Sequence, residues 1–151
     1  MEGWCGLVAF TVAWLIAQVS KVVARLMSGV KSGEKMSFGV MIDCFTRSGG
    51  MPSGHTASFT AVAVFLGLAF GWGSGLFVLA VCMWMVIVYD ATHVRYAVGE
   101  QGRALNRLLK EAGEPELPVV EGHTVVQVVV GATIGLIVGW GVFVLARLML
   151  K

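Results

Sequence analysis

Four long apolar stretches, at roughly residues 6–23, 56–72, 75–94 and 124–150, constrain this chain more than any other feature. Crossing the hydrocarbon core of a bilayer takes about 20 residues of helix. Charged residues make up only 13% of the 151, against about a quarter in a soluble domain. The expected fold is all-α: a polytopic membrane helix bundle with about four spanning helices, in a single integral-membrane domain over residues 1–151. The N-terminus, Met1-Glu2-Gly3-Trp4, has no basic run and no small-residue cleavage site, so the first span is expected to be retained.

Charge distribution orients the bundle. Lys21, Arg25, Lys31, Lys35 and Arg47 lie between the first and second spans; Arg95, Arg103, Arg107 and Lys110 lie between the third and fourth. With four spans these two segments share one side, which then carries 9 of the 11 Lys and Arg residues. The opposite side has Arg147, Lys151 and the uncharged connection Gly71-Trp72-Gly73-Ser74. The positive-inside rule puts the basic segments in the cytoplasm and both termini outside, in a cell membrane. The net charge of +2 is too small to imply a nucleic-acid partner. Cys5, Cys44 and Cys82 are odd in number and lack metal spacing, which reads as inert packing.

Between the spans, residues 36–45 form an apolar run too short to cross, which suggests a re-entrant or interfacial helix. Residues 99–112 set Leu105, Leu108 and Leu109 against Arg103, Arg107 and Lys110, the pattern of a cytoplasmic amphipathic helix lying on anionic lipid. Gly131, Gly135 and Gly139 form two overlapping GxxxG patterns in the fourth span, and Ala63, Gly67 and Gly71 a looser stripe in the second. Such stripes let helices approach closely, either within the bundle or across a homodimer.

The chemistry gathers at the cytoplasmic ends. Gly49-Gly50-Met51-Pro52-Ser53-Gly54-His55 is a polar, glycine-rich turn running straight into an apolar helix. Gly49 and Gly50, just upstream, allow close backbone approach, Ser53 suits an N-cap, and the helix start is a natural anion site. His55 stands in the first turn, where it can exchange a proton with a bound anion. Lys21 closes the first span, and the third ends in Asp90 and Arg95. A carboxylate in an apolar helix needs a partner or water, unless it simply sits at the interface. At the start of the fourth span, His123 has Gln127 one turn on. An acceptor there fixes one ring nitrogen and leaves the other as a nucleophile. Two imidazoles, several cations, a helix N-terminus and no metal cluster fit a phosphohydrolase that needs no cofactor. One histidine attacks phosphorus and the other protonates the leaving oxygen, while cations and N–H groups stabilise the equatorial charge.

Gly49 to Ala57 also resembles the Pro-Ser-Gly-His motif of the type-2 phosphatidic acid phosphatase superfamily. The likeness is closest to its divergent, short membrane branch, related to acid phosphatases and vanadium-dependent haloperoxidases. It extends through Ala17-Gln18 with Lys21, Val88-Tyr89-Asp90-Ala91 with Val94-Arg95, Gln101, Leu105-Asn106, Gly122-His123-Thr124 and Gly131. The resemblance implies that Lys21 binds phosphate, that Ser53 and Gly54 contact it, and that His55 is the general acid. It likewise implies that Arg95 is the third-motif arginine and His123 the nucleophile. The chain departs from the superfamily in lacking Arg-Pro after Lys21 and in the distance between Arg95 and His123. It also has Gln127 where an acidic residue orients the nucleophile, which leaves Asp90 or Glu121 to supply that charge.

The expected activity is metal-independent hydrolysis of a membrane lipid phosphate, either a polyprenyl phosphate or diphosphate or a phosphatidate-type lipid, through a phosphohistidine, with vanadate as inhibitor. A protein that binds, transports or assembles lipid phosphates without turnover is the rival, favoured by Gln127. In a third reading the polar ends merely anchor the bundle.

Overall fold

The computed structural model describes residues 2–32, 50–119 and 122–149, and these are all-helical. The elements are α1 (Glu2–Ser32), α2 (Gly54–Phe70), α3 (Gly75–Tyr89), a π-helical turn (Asp90–Val94), α4 (Arg95–Glu111) and α5 (Val125–Met149). Three stretches are long and apolar enough to cross a membrane: Trp4–Met27, the continuous run Gly75–Glu111, and Val125–Met149; α2 is a shorter apolar helix. At 17 residues α2 is about 25 Å long. The interfacial helix expected over 36–45 lies outside the described residues.

α2 is the centre of the bundle, and its composition explains why. Its residues include Gly54, Ala57, Ser58, Ala61, Ala63 and Gly67, all buried, and small residues let neighbouring backbones close in where lipid offers no hydrophobic drive. α1 runs antiparallel to it: Gly54 faces Trp14 and Ala17, and Gly6 faces Phe65. Ala9, Ala13 and Ala17 of α1, Ala57, Ala61 and Phe65 of α2, and Val138 of α5 form the core. α3, also antiparallel, is tied to α2 by Trp84 Nε1 donating to Thr60 Oγ1 at 2.8 Å. Phe77 and Trp72 cover Gly67 from that side.

α5 runs parallel to α2. The GxxxG stripe faces inward, in register with α2: a Cβ on Gly131, Gly135 or Gly139 would strike the carbonyl oxygen of Ser53, Ala57 or Ala61 respectively. Of the two uses expected for that stripe, the fold realises packing within the bundle.

α3 does not end where an amphipathic helix then begins anew at residue 99. The π-turn carries the chain without a break into α4, which starts at Arg95. α4 packs on none of α1, α2 and α5 to any large extent. Gly113, at φ +77°, ends it, and Glu114 N–H donates to Leu109 O at 2.9 Å. The chain then returns antiparallel along α4. Asn106 clamps that return, donating from Nδ2 to Leu117 O and accepting from Leu117 N–H, both at 2.9 Å. Val119 fills the space over Gly102. The return delivers residue 122 to the π-turn, where the site is built.

Candidate active site

Two helix starts and one π-turn meet at the same end of the bundle. At the first start, Gly50 takes φ +78°, a conformation favouring glycine. Ser53 follows as the N-cap of α2: its Oγ accepts from Thr56 N–H at 3.4 Å and shares a 2.9 Å hydrogen bond with Thr56 Oγ1. Ser53 is fully buried, so its hydroxyl serves the helix start from within. Gly54 is buried against α1, and His55, next along, is exposed.

At the second start, Thr124 and Gln127 form a reciprocal capping box. Thr124 N–H donates to Gln127 Oε1 at 3.0 Å, and Gln127 N–H donates to Thr124 Oγ1 at 3.4 Å. Because Oε1 receives that backbone N–H, the amide oxygen points inward, and an oxygen accepts only. His123 Nδ1, 3.2 Å from the same oxygen, must therefore carry the hydrogen and donate it. The lone pair is left on Nε2, the arrangement the i, i+4 spacing suggests. His123 is buried, with 5% of its surface exposed. Burial is the largest influence on its pKa and pushes it below the ordinary 6.5. The Gln127 hydrogen bond acts upward; Lys21, His55 and Arg95 push it further down. Burial therefore favours the neutral form of this imidazole.

The π-turn joins these parts. An i to i+5 hydrogen bond from Arg95 N–H to Asp90 O places residue 95 over residue 90, and Arg95 Nε donates to Asp90 Oδ2 at 2.6 Å. Both side chains are about 40% exposed. Inside the same turn, Ala91 O accepts from His123 N–H at 2.9 Å. Gly122 lies against the backbone of Arg95 and Tyr96, where a Cβ would collide. Ser53 N–H, meanwhile, donates to Gln127 O at 3.1 Å, so the α2 turn and the α5 start are bonded to each other.

The residues singled out in the sequence thus converge. Lys21, His55 and Arg95 all act electrostatically on His123, and Arg95, Lys21 and Asp90 act electrostatically on His55. Asp90 is joined to Arg95, whereas Gln127 orients His123; Glu121 lies outside the described residues. Gly50, Ser53 and Gly54 form the approach to α2 beside them. Sequence reasoning quoted Gly122 and Ala91 within matching stretches and gave neither a role. It quoted Asn106 without a role. For Gly122 the signal was a glycine directly before a candidate nucleophile. Among the described residues, no three His, Cys, Asp or Glu side chains are grouped to hold a metal ion.

The sequence profile of the Divergent PAP2 family matches residues 5–138, a stretch that includes Lys21, His55, Asp90, Arg95, His123 and Gln127. The chain belongs to the Divergent PAP2 family. A relative of this family member in Bacillus subtilis (strain 168), named an uncharacterized membrane protein, YuiD, is 39% identical over 64 residues. That alignment covers 42% of this chain and 40% of the relative. No solved structure matches.

Proposed function

We propose that this member of the Divergent PAP2 family is a metal-independent phosphatase of membrane lipid phosphates that works through a phosphohistidine. The observation that carries the reading is the His123–Gln127 pair, which holds a buried imidazole through Nδ1 and leaves the Nε2 lone pair available among Lys21, Arg95 and His55. His123 Nε2 attacks phosphorus as the bond to the lipid oxygen breaks, and His55 delivers its proton to that oxygen. Water, deprotonated by His55, then attacks the phosphohistidine and releases inorganic phosphate. Lys21, Arg95 and the N–H groups opening α2 stabilise the equatorial oxygens. A bound phosphate neutralises the cations around His55 and so favours the protonated acid.

The substrate is a polyprenyl phosphate or diphosphate or a phosphatidate-type lipid, with its headgroup at the cytoplasmic face and both protein termini outside. Protein purified in detergent, given a panel of these lipids with chelator present, should release phosphate, and orthovanadate should block it. His123→Ala and His55→Ala should each abolish release. Lipid binding without release from the unaltered protein would instead support a binding or transport protein, the reading that the neutral Gln127 favours. Cysteines placed at residues 31–35 should be protected from impermeant label in intact cells; labelling would overturn the orientation.

A further inference from the structure

We infer that one hydrocarbon chain of the lipid phosphate lies along a single face of α2, the stripe His55, Phe59, Val62 and Leu66, entering the site sideways between α1 and α3. The inference rests on the phosphate-lipid site proposed above and adds where the apolar part of the ligand sits.

Contacts along α2 assign three of its faces. α5 takes the face of Ser53, Ala57 and Ala61, whose carbonyl oxygens meet Gly131, Gly135 and Gly139. α1 takes the face of Gly54 and Phe65, and α3 that of Thr60 and Gly67. With 3.6 residues per turn, positions spaced four, three and four apart fall on one line. His55, Phe59, Val62 and Leu66 have that spacing and share the face that α1, α3 and α5 leave. Exposure fits nearest the site: His55 is exposed and Phe59 and Val62 are half-buried, whereas residues 56–58, 60, 61 and 63 are buried; Leu66 is half-buried and packs against the core, and Val64, also half-buried, faces Gly139 of α5. Phe10 of α1 forms one wall, its ring edge-on to Phe59 with centroids 5.5 Å apart.

Continuity with the site decides what covers this face. The stripe begins at His55, within electrostatic reach of Arg95, Lys21 and Asp90. A phosphate held there is esterified to a chain that must descend into the bilayer, and the other three faces of α2 are occupied by helices. From His55 to Leu66 the stripe runs about 16 Å, roughly half the hydrocarbon thickness. A second copy of the protein, or residues 33–49, seated on this face would close the way to the imidazole.

Photo-crosslinking of the full chain in phosphatidylcholine nanodiscs tests this. p-Benzoylphenylalanine replaces Val62, and in a control Val78, an exposed position on α3; a third protein carries it at Phe59. The discs are doped with dioleoyl phosphatidate or with a polyprenyl phosphate. At position 62 or 59, adducts with at least one doped lipid should exceed its share of the bilayer about tenfold, equivalent to about 1.4 kcal/mol, while position 78 follows bulk composition. Adducts at 59 and 62 that follow bulk composition for both lipids would overturn the inference. So would adducts to residues 33–49 or to a second copy, or no adduct at 59 and 62 where 78 reacts. The readout needs no turnover: enrichment without phosphate release would leave the seat of the chain standing and remove the phosphatase.

Discussion

Glutamate at position 127 would keep the capping box, since Glu and Gln serve it alike. It would put a full negative charge where an amide oxygen now lies 3.2 Å from His123 Nδ1. An opposite charge within about 4–6 Å commonly moves a pKa by 1–3 units, each unit being about 1.4 kcal/mol. Lys21 and Arg95 beside the imidazole, and the cost of burying the carboxylate, favour the lower end, about one unit upward. A nucleophile must be unprotonated, so activity falls as pH drops through its pKa. The acidic limb of kcat/KM should therefore lie below 6.5, the ordinary histidine value, in the natural protein. It should move up by about one unit in Gln127→Glu. Gln127→Leu removes an acceptor that holds the pKa up and should move the limb down. NMR titration of histidines labelled at Cε1, assigned with His123→Ala, reads the same quantity without turnover. A His123 titration that stays put, or moves down, in Gln127→Glu would refute the orientation of the imidazole by residue 127.

Gly135→Leu should lower the Tm in detergent by the equivalent of at least about 1–3 kcal/mol, an overpacking cost, because Ala57 O and Ala61 N lie where the side chain must go. Oligomer size on gel filtration should not change, since the stripe faces α2. Asp90→Asn breaks a pair that is about 40% exposed and should cost less than about 1 kcal/mol of stability. It should nevertheless weaken orthovanadate inhibition about tenfold, as expected if Arg95 loses the partner that aims it; unchanged inhibition would make the pair merely structural. Asn106→Leu removes both hydrogen bonds to Leu117 and should speed proteolysis within residues 112–119 relative to the unaltered chain.

The membrane bundle was legible because the bilayer imposes a length on every span, and the site end because alternating spans return to one side. The helix start at Ser53 and the His123–Gln127 pair were legible because both are local, three or four residues long. What escaped depends on partners distant in sequence or on a rare helix geometry. Asp90 and Arg95, five apart, do not share a face of an ordinary α-helix; only the π-turn stacks them, so sequence alone could not join the carboxylate to the arginine. The same turn erased the break expected before residue 99. Gly122 is required by the backbone of Arg95 and Tyr96; its place before His123 marks it, but the partner that demands a glycine is distant in sequence. The GxxxG stripe is equally suited to an inner and an outer neighbour; Ser53, Ala57 and Ala61 decide which.

The hydrogen bond from Ser53 N–H to Gln127 O ties the glycine-rich turn to the helix that carries the second imidazole. Segments more than 70 residues apart therefore shift as one body. An anion socket at the proposed site would be assembled when the chain inserts and folds, so that its ordering cost would be met once and would not recur with each arriving ligand.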